Sequence, residues 1–286
     1  MDHEQIRTNG ITLHVATDGP RTGPLLLLLH GFPETSAAWQ RQQESLATLG
    51  WRVWAPDLRG YGESDKPRGT SAYTTEMLAA DIVGLIDAAG VHRAAIVGHD
   101  WGGIIAWQVA MRHPERLSSL VVMNAPHPAA MRRRLLRDPR QTVRSWYAFM
   151  LQVPRLPEMF MRRKNWQALE RALVRTSRPH TFGAPLLERY RIAWSRPGAI
   201  TAMIDYYRAA FRHPGASGDA GKVATRTLIL WGTEDAFILR VLATDSARRC
   251  ADARVEYVNG ATHWLHHEEP VHVTASIDRF LGPATT

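Results

Sequence analysis

A single cysteine, Cys250, among 286 residues leaves no partner for an internal disulfide. It fits a reducing compartment, so a cytoplasmic location is expected. Apolar runs such as Leu25 to Leu29 are short, far below the ~20 residues that cross a bilayer. The polar start Met1-Asp2-His3-Glu4 does not read as a signal peptide. Internal repeats and low-complexity tracts are missing. So are HExxH and any Cys/His spacing of ligand type, although His266 and His267 follow His263 closely; no metal and no cofactor is implied. Lysine is scarce, with three against 32 arginines.

The net charge of +8 is unevenly spread. Met131 to His213 carries 18 Arg and Lys against 5 Asp and Glu, which leaves the rest of the chain net acidic. Such a segment can mark a nucleic-acid or anionic-membrane surface. No nucleic-acid motif accompanies it, so a solvated helical face is the reading, with neither nucleic acid nor membrane as a partner.

The remainder alternates strand and helix. Ile6 to Asp18 breaks at Asn9-Gly10, the signal of an antiparallel hairpin. Leu25–Leu29 is a strand buried on both faces, followed by a helix from Ser36 to Leu49. Arg52–Ala55 is a strand, Thr75–Ala89 a helix, and Ala94 onward a strand again. Leu117–Met123 continues the pattern, which then stops. Between Asn124 and Lys222 there are only Arg-rich helical segments broken at Pro139, Pro154, Pro157, Pro179, Pro185 and Pro197. Strands return at Thr227–Trp231 and Val255–Val258, with helices at Val241–Cys250 and Pro270–Leu281. This predicts an α/β fold with one mostly parallel sheet and an inserted helical cap. The division is residues 1–128 and 218–286 for the core and 129–217 for the cap.

The run Gly98-His99-Asp100-Trp101-Gly102-Gly103 joins an apolar strand to an apolar helix. A G-x-S-x-G nucleophile elbow needs glycines two residues either side of its apex, where a sharp turn leaves no room for side chains. Gly98 and Gly102 stand there, with Asp100 in place of serine. A carboxylate of pKa ~4 is already an anion at neutral pH and suits attack on saturated carbon. The plainer alternative is an aspartate that caps the following helix. Loops past strand ends collect reactive groups in such sheets, and two more candidates lie on them, Asp235 in Trp231-Gly232-Thr233-Glu234-Asp235 and His263 in Gly260-Ala261-Thr262-His263-Trp264. Glu234 rivals Asp235. The order Asp100, Asp235, His263 is that of nucleophile, acid and histidine on the α/β-hydrolase sheet.

With these motifs, together with His30-Gly31-Phe32-Pro33-Glu34 and the stretch from His263 to Pro270, the sequence resembles α/β-hydrolase-fold epoxide hydrolases over nearly its whole length. The resemblance implies an Asp100–His263–Asp235 triad. It also implies backbone N–H groups of Phe32 and Trp101 as oxyanion donors, a cis Phe32–Pro33 bond and Glu34 as a water-positioning group. Two cap tyrosines are implied, Tyr147 before Gln152-Val153-Pro154 and Tyr207 in Tyr206-Tyr207-Arg208, with Tyr206 as rival for the second. Phenols of pKa ~10 can donate to an epoxide oxygen as charge develops on it. Trp101, Trp146, Phe149, Met150 and Trp264 are the candidate pocket residues. Phe160, Trp166 and Trp194 add to an apolar roof that suits a small hydrophobic epoxide. A homodimer is a habit of the family. Haloalkane and haloacetate dehalogenases share most of these motifs, and the Trp101 indole could hold a halide. A non-catalytic binding protein on the same fold is the third alternative.

Overall fold

A computed structural model describes residues 1–213 and 222–284. β1 (Asp2–Thr8) and β2 (Ile11–Asp18) form a hairpin. It turns at Asn9 and Gly10, whose φ of 42° and 76° suit the twist of a two-residue connection. β3 (Leu25–Leu29), α1 (Gln40–Thr48), β4 (Arg52–Pro56), α2 (Thr75–Ala88), β5 (Ala94–His99), α3 (Trp101–Arg112) and β6 (Leu117–Met123) follow. Six helices intervene: α4 (Pro128–Arg137), α5 (Pro139–Arg144), α6 (Trp146–Met150), α7 (Leu156–Thr176), α8 (Ala184–Ser195) and α9 (Ala199–Arg212). The chain closes with β7 (Thr227–Gly232), α10 (Val241–Ala247), β8 (Ala253–Val258), α11 (Leu265–Glu268) and α12 (Pro270–Leu281).

The strands make one eight-stranded sheet in the order β1-β2-β4-β3-β5-β6-β7-β8. Only the pairings of β2 with β1 and β4 are antiparallel. β3 shows why a run of five leucines suits its central position. Leu25, Leu27 and Leu29 join one core with Ile82, Leu85 and Ile105 from α2 and α3. Leu26 and Leu28 join the other, with Leu46, Val273 and Ile277 from α1 and α12. Successive side chains point to opposite faces, and both faces are covered by helices.

Between β6 and β7 the described residues form no named strand, as expected. Several of the prolines read as breaks are helix starts: Pro139, Pro157 and Pro185 each stand in a first turn, where the missing N–H costs nothing. α7 breaks instead at Arg163–Trp166, where Lys164, Asn165 and Trp166 take positive φ, a feature with no proline to announce it. The expected cap boundary at 217/218 lies outside the described residues.

Candidate active site

The elbow is forced by close backbone approach. A Cβ on Gly102 would stand 2.1 Å from the Leu29 carbonyl oxygen, and one on Gly98 would stand 2.4 Å from that of Gly102. Gly102→Ala is therefore expected to destabilise the fold by roughly 3 kcal/mol, visible as a lowered denaturation midpoint; an unchanged midpoint would mean that the elbow can open. At the apex Asp100 adopts φ 50°, ψ −118°, a conformation that L-residues adopt only where their surroundings hold them to it.

Asp100 does not cap α3: its side chain makes no hydrogen bond to the helix N-terminus. Oδ1 instead accepts from the Phe32 N–H at 2.8 Å, and Oδ2 lies 3.6 Å from His263 Nε2. Gly31 permits this, because a Cβ there would meet Oδ1 at 2.7 Å. The Phe32–Pro33 bond is cis. Trp101 opens α3, so its own N–H is among those left without an intrahelical acceptor. The Asp100 side chain keeps 14% of its surface exposed, against 3% for His263 and 1% for Asp235; of the three, the carboxylate at the elbow is the one open to a ligand.

His263 Nδ1 and Asp235 Oδ2 are 2.8 Å apart. Asp235 Oδ1 accepts from the Phe237 and Ile238 N–H groups, at 2.7 and 3.0 Å, and Oδ2 also accepts from the Asn124 amide. Burial works against the Asp235 charge, but His263 and these donors outweigh it and hold the carboxyl below its usual range. Burial likewise favours a neutral His263 ring; the Asp235 charge and the bond to Asp100 overcome it and push the imidazole up to about 10. The resting ring is thus an imidazolium between two carboxylates. Glu234, the rival acid, faces solvent.

Both expected tyrosines lie near Asp100. Tyr147 and Tyr207 have ring centroids 6.0 Å apart, and Tyr207 packs edge-on against Phe32 and Trp101. Burial first, then the Asp100 charge, pushes both phenols above their ordinary value, so both are protonated donors at neutral pH. The Trp101 side chain hydrogen-bonds the Tyr207 phenol, which opposes that rise. Tyr206 is committed elsewhere, its hydroxyl donating to the Arg59 carbonyl at 2.7 Å.

Glu34 is wholly buried. Its Oε1 meets His267 Nε2 at 2.6 Å and accepts from the Tyr190 hydroxyl at 3.2 Å; its Oε2 lies 3.3 Å from His99 Nδ1 and 3.4 Å from His266 Nε2. Burial, with His267 adjacent, keeps His266 well below its usual range and therefore neutral. The other face of His99 is tied to the loop that carries His263, its Nε2 donating to the His263 carbonyl at 2.9 Å. Glu34, His99 and His266 also offer ligand atoms within 4.8 Å of one another, a set able to hold a cation; their sequence spacing gave no sign of it.

The pocket candidates divide. Trp101 and Trp264 are buried, and Trp264 packs edge-on against His263. Trp146, Phe149 and Met150 are the correction: each leaves about half of its surface or more in solvent, and Phe149 packs on Phe211. Phe160 is exposed as well, whereas Trp166 and Trp194 are buried against each other. α6 turns only Tyr147 toward the acid loop, against Phe237. Several bracing residues escaped sequence reasoning. Besides Asn124, Glu268 accepts from the Thr262 N–H and hydroxyl, both at 2.7 Å, which gives the threonine before His263 a reason. Gln141 and Arg144 of α5 bind the acid loop at the Phe237 and Asp235 carbonyls.

A family model described as the alpha/beta hydrolase fold matches residues 24–270. The AB hydrolase superfamily protein YfhM of Bacillus subtilis is 41% identical over 96% of this chain and 96% of its own. Epoxide hydrolase 4 of Mus musculus is 36% identical over 98% of this chain and 79% of its own. Among solved structures, an inhibitor complex of a Bacillus megaterium epoxide hydrolase superposes with a TM-score of 0.88 at 29% identity, covering 97% of this chain and 99% of that one. Sheet order, elbow and these similarities agree: the chain belongs to the α/β-hydrolase fold family, among its epoxide hydrolases.

Proposed function

We propose that the protein hydrolyses a hydrophobic epoxide to a vicinal diol through an alkyl ester on Asp100. The observation that carries this reading is the setting of that carboxylate, with Oδ1 on the Phe32 N–H, Oδ2 3.6 Å from His263 Nε2 and part of the side chain still exposed, near two buried phenols whose protons its charge helps to hold. Oδ2 attacks a ring carbon, the C–O bond breaks, and its electrons pass to an oxygen that takes a proton from Tyr147 or Tyr207. The phenol recovers its proton from the His263 imidazolium, with solvent as carrier. Esterification has by then removed the Asp100 charge, one of the two that hold the ring protonated.

Neutral His263, oriented by Asp235, next takes a proton from water. The hydroxide attacks the ester carbonyl, whose oxygen is the former Oδ1 and rests on the Phe32 and Trp101 N–H groups. Glu34 helps to place that water through its contacts with His99 and His267. The bond between the carbonyl carbon and the former Oδ2 then breaks, and that oxygen takes a proton from His263. The diol leaves with one oxygen from the epoxide and one from Asp100, while the new carboxyl, its second oxygen now from water, returns its proton to the ring.

Phenylalanine at Tyr147 and at Tyr207 is each expected to slow ester formation by about 100-fold, read as a pre-steady-state rate; unchanged rates in both would remove the tyrosines from the reaction. The pH dependence of ester hydrolysis follows from the ring. Its rate is expected to rise with pH as His263 loses its proton and then to level off, with the rising limb below the value of about 10 to which Asp235 and Asp100 together push the ring, because the ester no longer carries the Asp100 charge; a rate that falls over that limb would exclude His263 as base.

Dehalogenation by the same aspartate is the second reading. It is disfavoured because a departing halide needs no proton, whereas two buried, protonated phenols stand near the carboxylate. The deciding assay supplies aryl and alkyl epoxides beside haloalkanes and haloacetates. Diol without halide release is expected; halide release without diol would reverse the assignment, and neither product would favour a binding protein.

A further inference from the structure

Among the described residues, seven of the sixteen large apolar side chains that stand exposed fall within residues 146–160. They are ordered. Trp146, Phe149 and Met150 on α6, and Leu156, Met159 and Phe160 at the start of α7, repeat the i, i+3, i+4 spacing of one helix face. That face looks outward. The first turns of α7 are inside out, since Glu158 is buried and paired with Arg208 at 2.7 Å while its apolar neighbours meet solvent. Arg208 also donates to the Leu151 and Val153 carbonyls, so the loop between the two triplets is held in place. Seven exposed apolar side chains within fifteen residues, on either side of a loop pinned by Arg208, exceed scattered single exposure and mark a docking site.

The charge around it selects the occupant. Arg155, Arg162, Arg163 and Lys164 are exposed. The acids between Met131 and Lys164 are Asp138 and Glu158, both buried and both paired with arginines. A second copy brought up on a two-fold axis would set one cationic rim against another. A layer of anionic headgroups instead offers phosphates to the arginines and an acyl boundary to Trp146, Phe149 and Phe160. From this geometry we infer that the cap face formed by α6 and the first turns of α7 docks on an anionic lipid surface, lying on it without crossing it. This replaces the solvated face expected from sequence, which shows the arginines but not the direction of the apolar side chains between them. If the substrate is the hydrophobic epoxide proposed above, a docked cap would sit where such a compound dissolves; the docking itself does not depend on that reading.

The test is sedimentation of the whole chain with phosphatidylcholine vesicles, with or without phosphatidylglycerol, at low and high salt and without any epoxide. Binding is expected only with phosphatidylglycerol, weakening with salt. R162E/R163E should lower it by at least about tenfold. L156S/M159S should also weaken it without lowering the melting temperature, because those side chains are exposed. Equal partition onto both vesicle types, or none onto either, overturns the inference. So does a dimer in sedimentation equilibrium that L156S/M159S separates into monomers.

Discussion

Alanine at Asp100 is expected to reduce diol formation by at least ~10⁴-fold, with the two phenols and the histidine still in place. The size of the loss follows from the role. A group that only polarised the substrate or capped a helix would cost far less, whereas removal of the atom that forms the new bond leaves no second route. Asp100 makes no cap bond, so alanine there removes the attacking oxygen and leaves the start of α3 without loss of a capping partner. The variant should still fold, losing on the order of 1 kcal/mol for alanine at positive φ. Steady-state assay paired with thermal denaturation checks both points. Activity within tenfold of the parent in a folded variant would make the carboxylate structural.

Glutamine at His263 separates the two half-reactions. Attack by Asp100 needs no base, so ester formation should persist, while release should fall by ~10³-fold or more. One equivalent of epoxide is consumed and turnover stops, with the mass of the peptide that contains Asp100 raised by that of the substrate. Loss of both phases would mean that the ring also takes part in the first step. A variant that turns over freely would exclude it from the second. His263 adds a stability effect of its own. Its folded-state value near 10 lies above the ordinary ~6.5, so its contribution is complete below about pH 6.5 and is lost as pH rises toward 10.

The grouping of Asp100, His263 and Asp235 was legible because each stands in a short, glycine-marked loop at the end of an apolar strand, where reactive groups collect in such sheets. The parallel sheet was legible for the same reason, with Leu25–Leu29 and Thr227–Trp231 too short and too apolar to be anything but buried strands. Asn124 was not legible. It is a lone amide after a strand, and only the fold shows it buried at φ 43°, donating to Asp235 and accepting from the Gly232 N–H. Glu268, Gln141 and Arg144 act across 6, 96 and 91 residues of sequence, and no local pattern records such pairings. The direction of the cap aromatics was misread because α6 has five residues, too few for periodicity to say which side meets the core. Composition gave the cap its aromatics; tertiary packing turned Tyr147 in and Trp146, Phe149 and Met150 out.

A single turnover in water labelled with ¹⁸O, with enzyme in excess over epoxide, tests the covalent step most directly. The attacking oxygen is predicted to come from Asp100, so the first diol carries no label and the peptide that contains Asp100 gains one heavy oxygen. Label in the first diol, with none in that peptide, would show that water attacks the epoxide itself and would contradict the account.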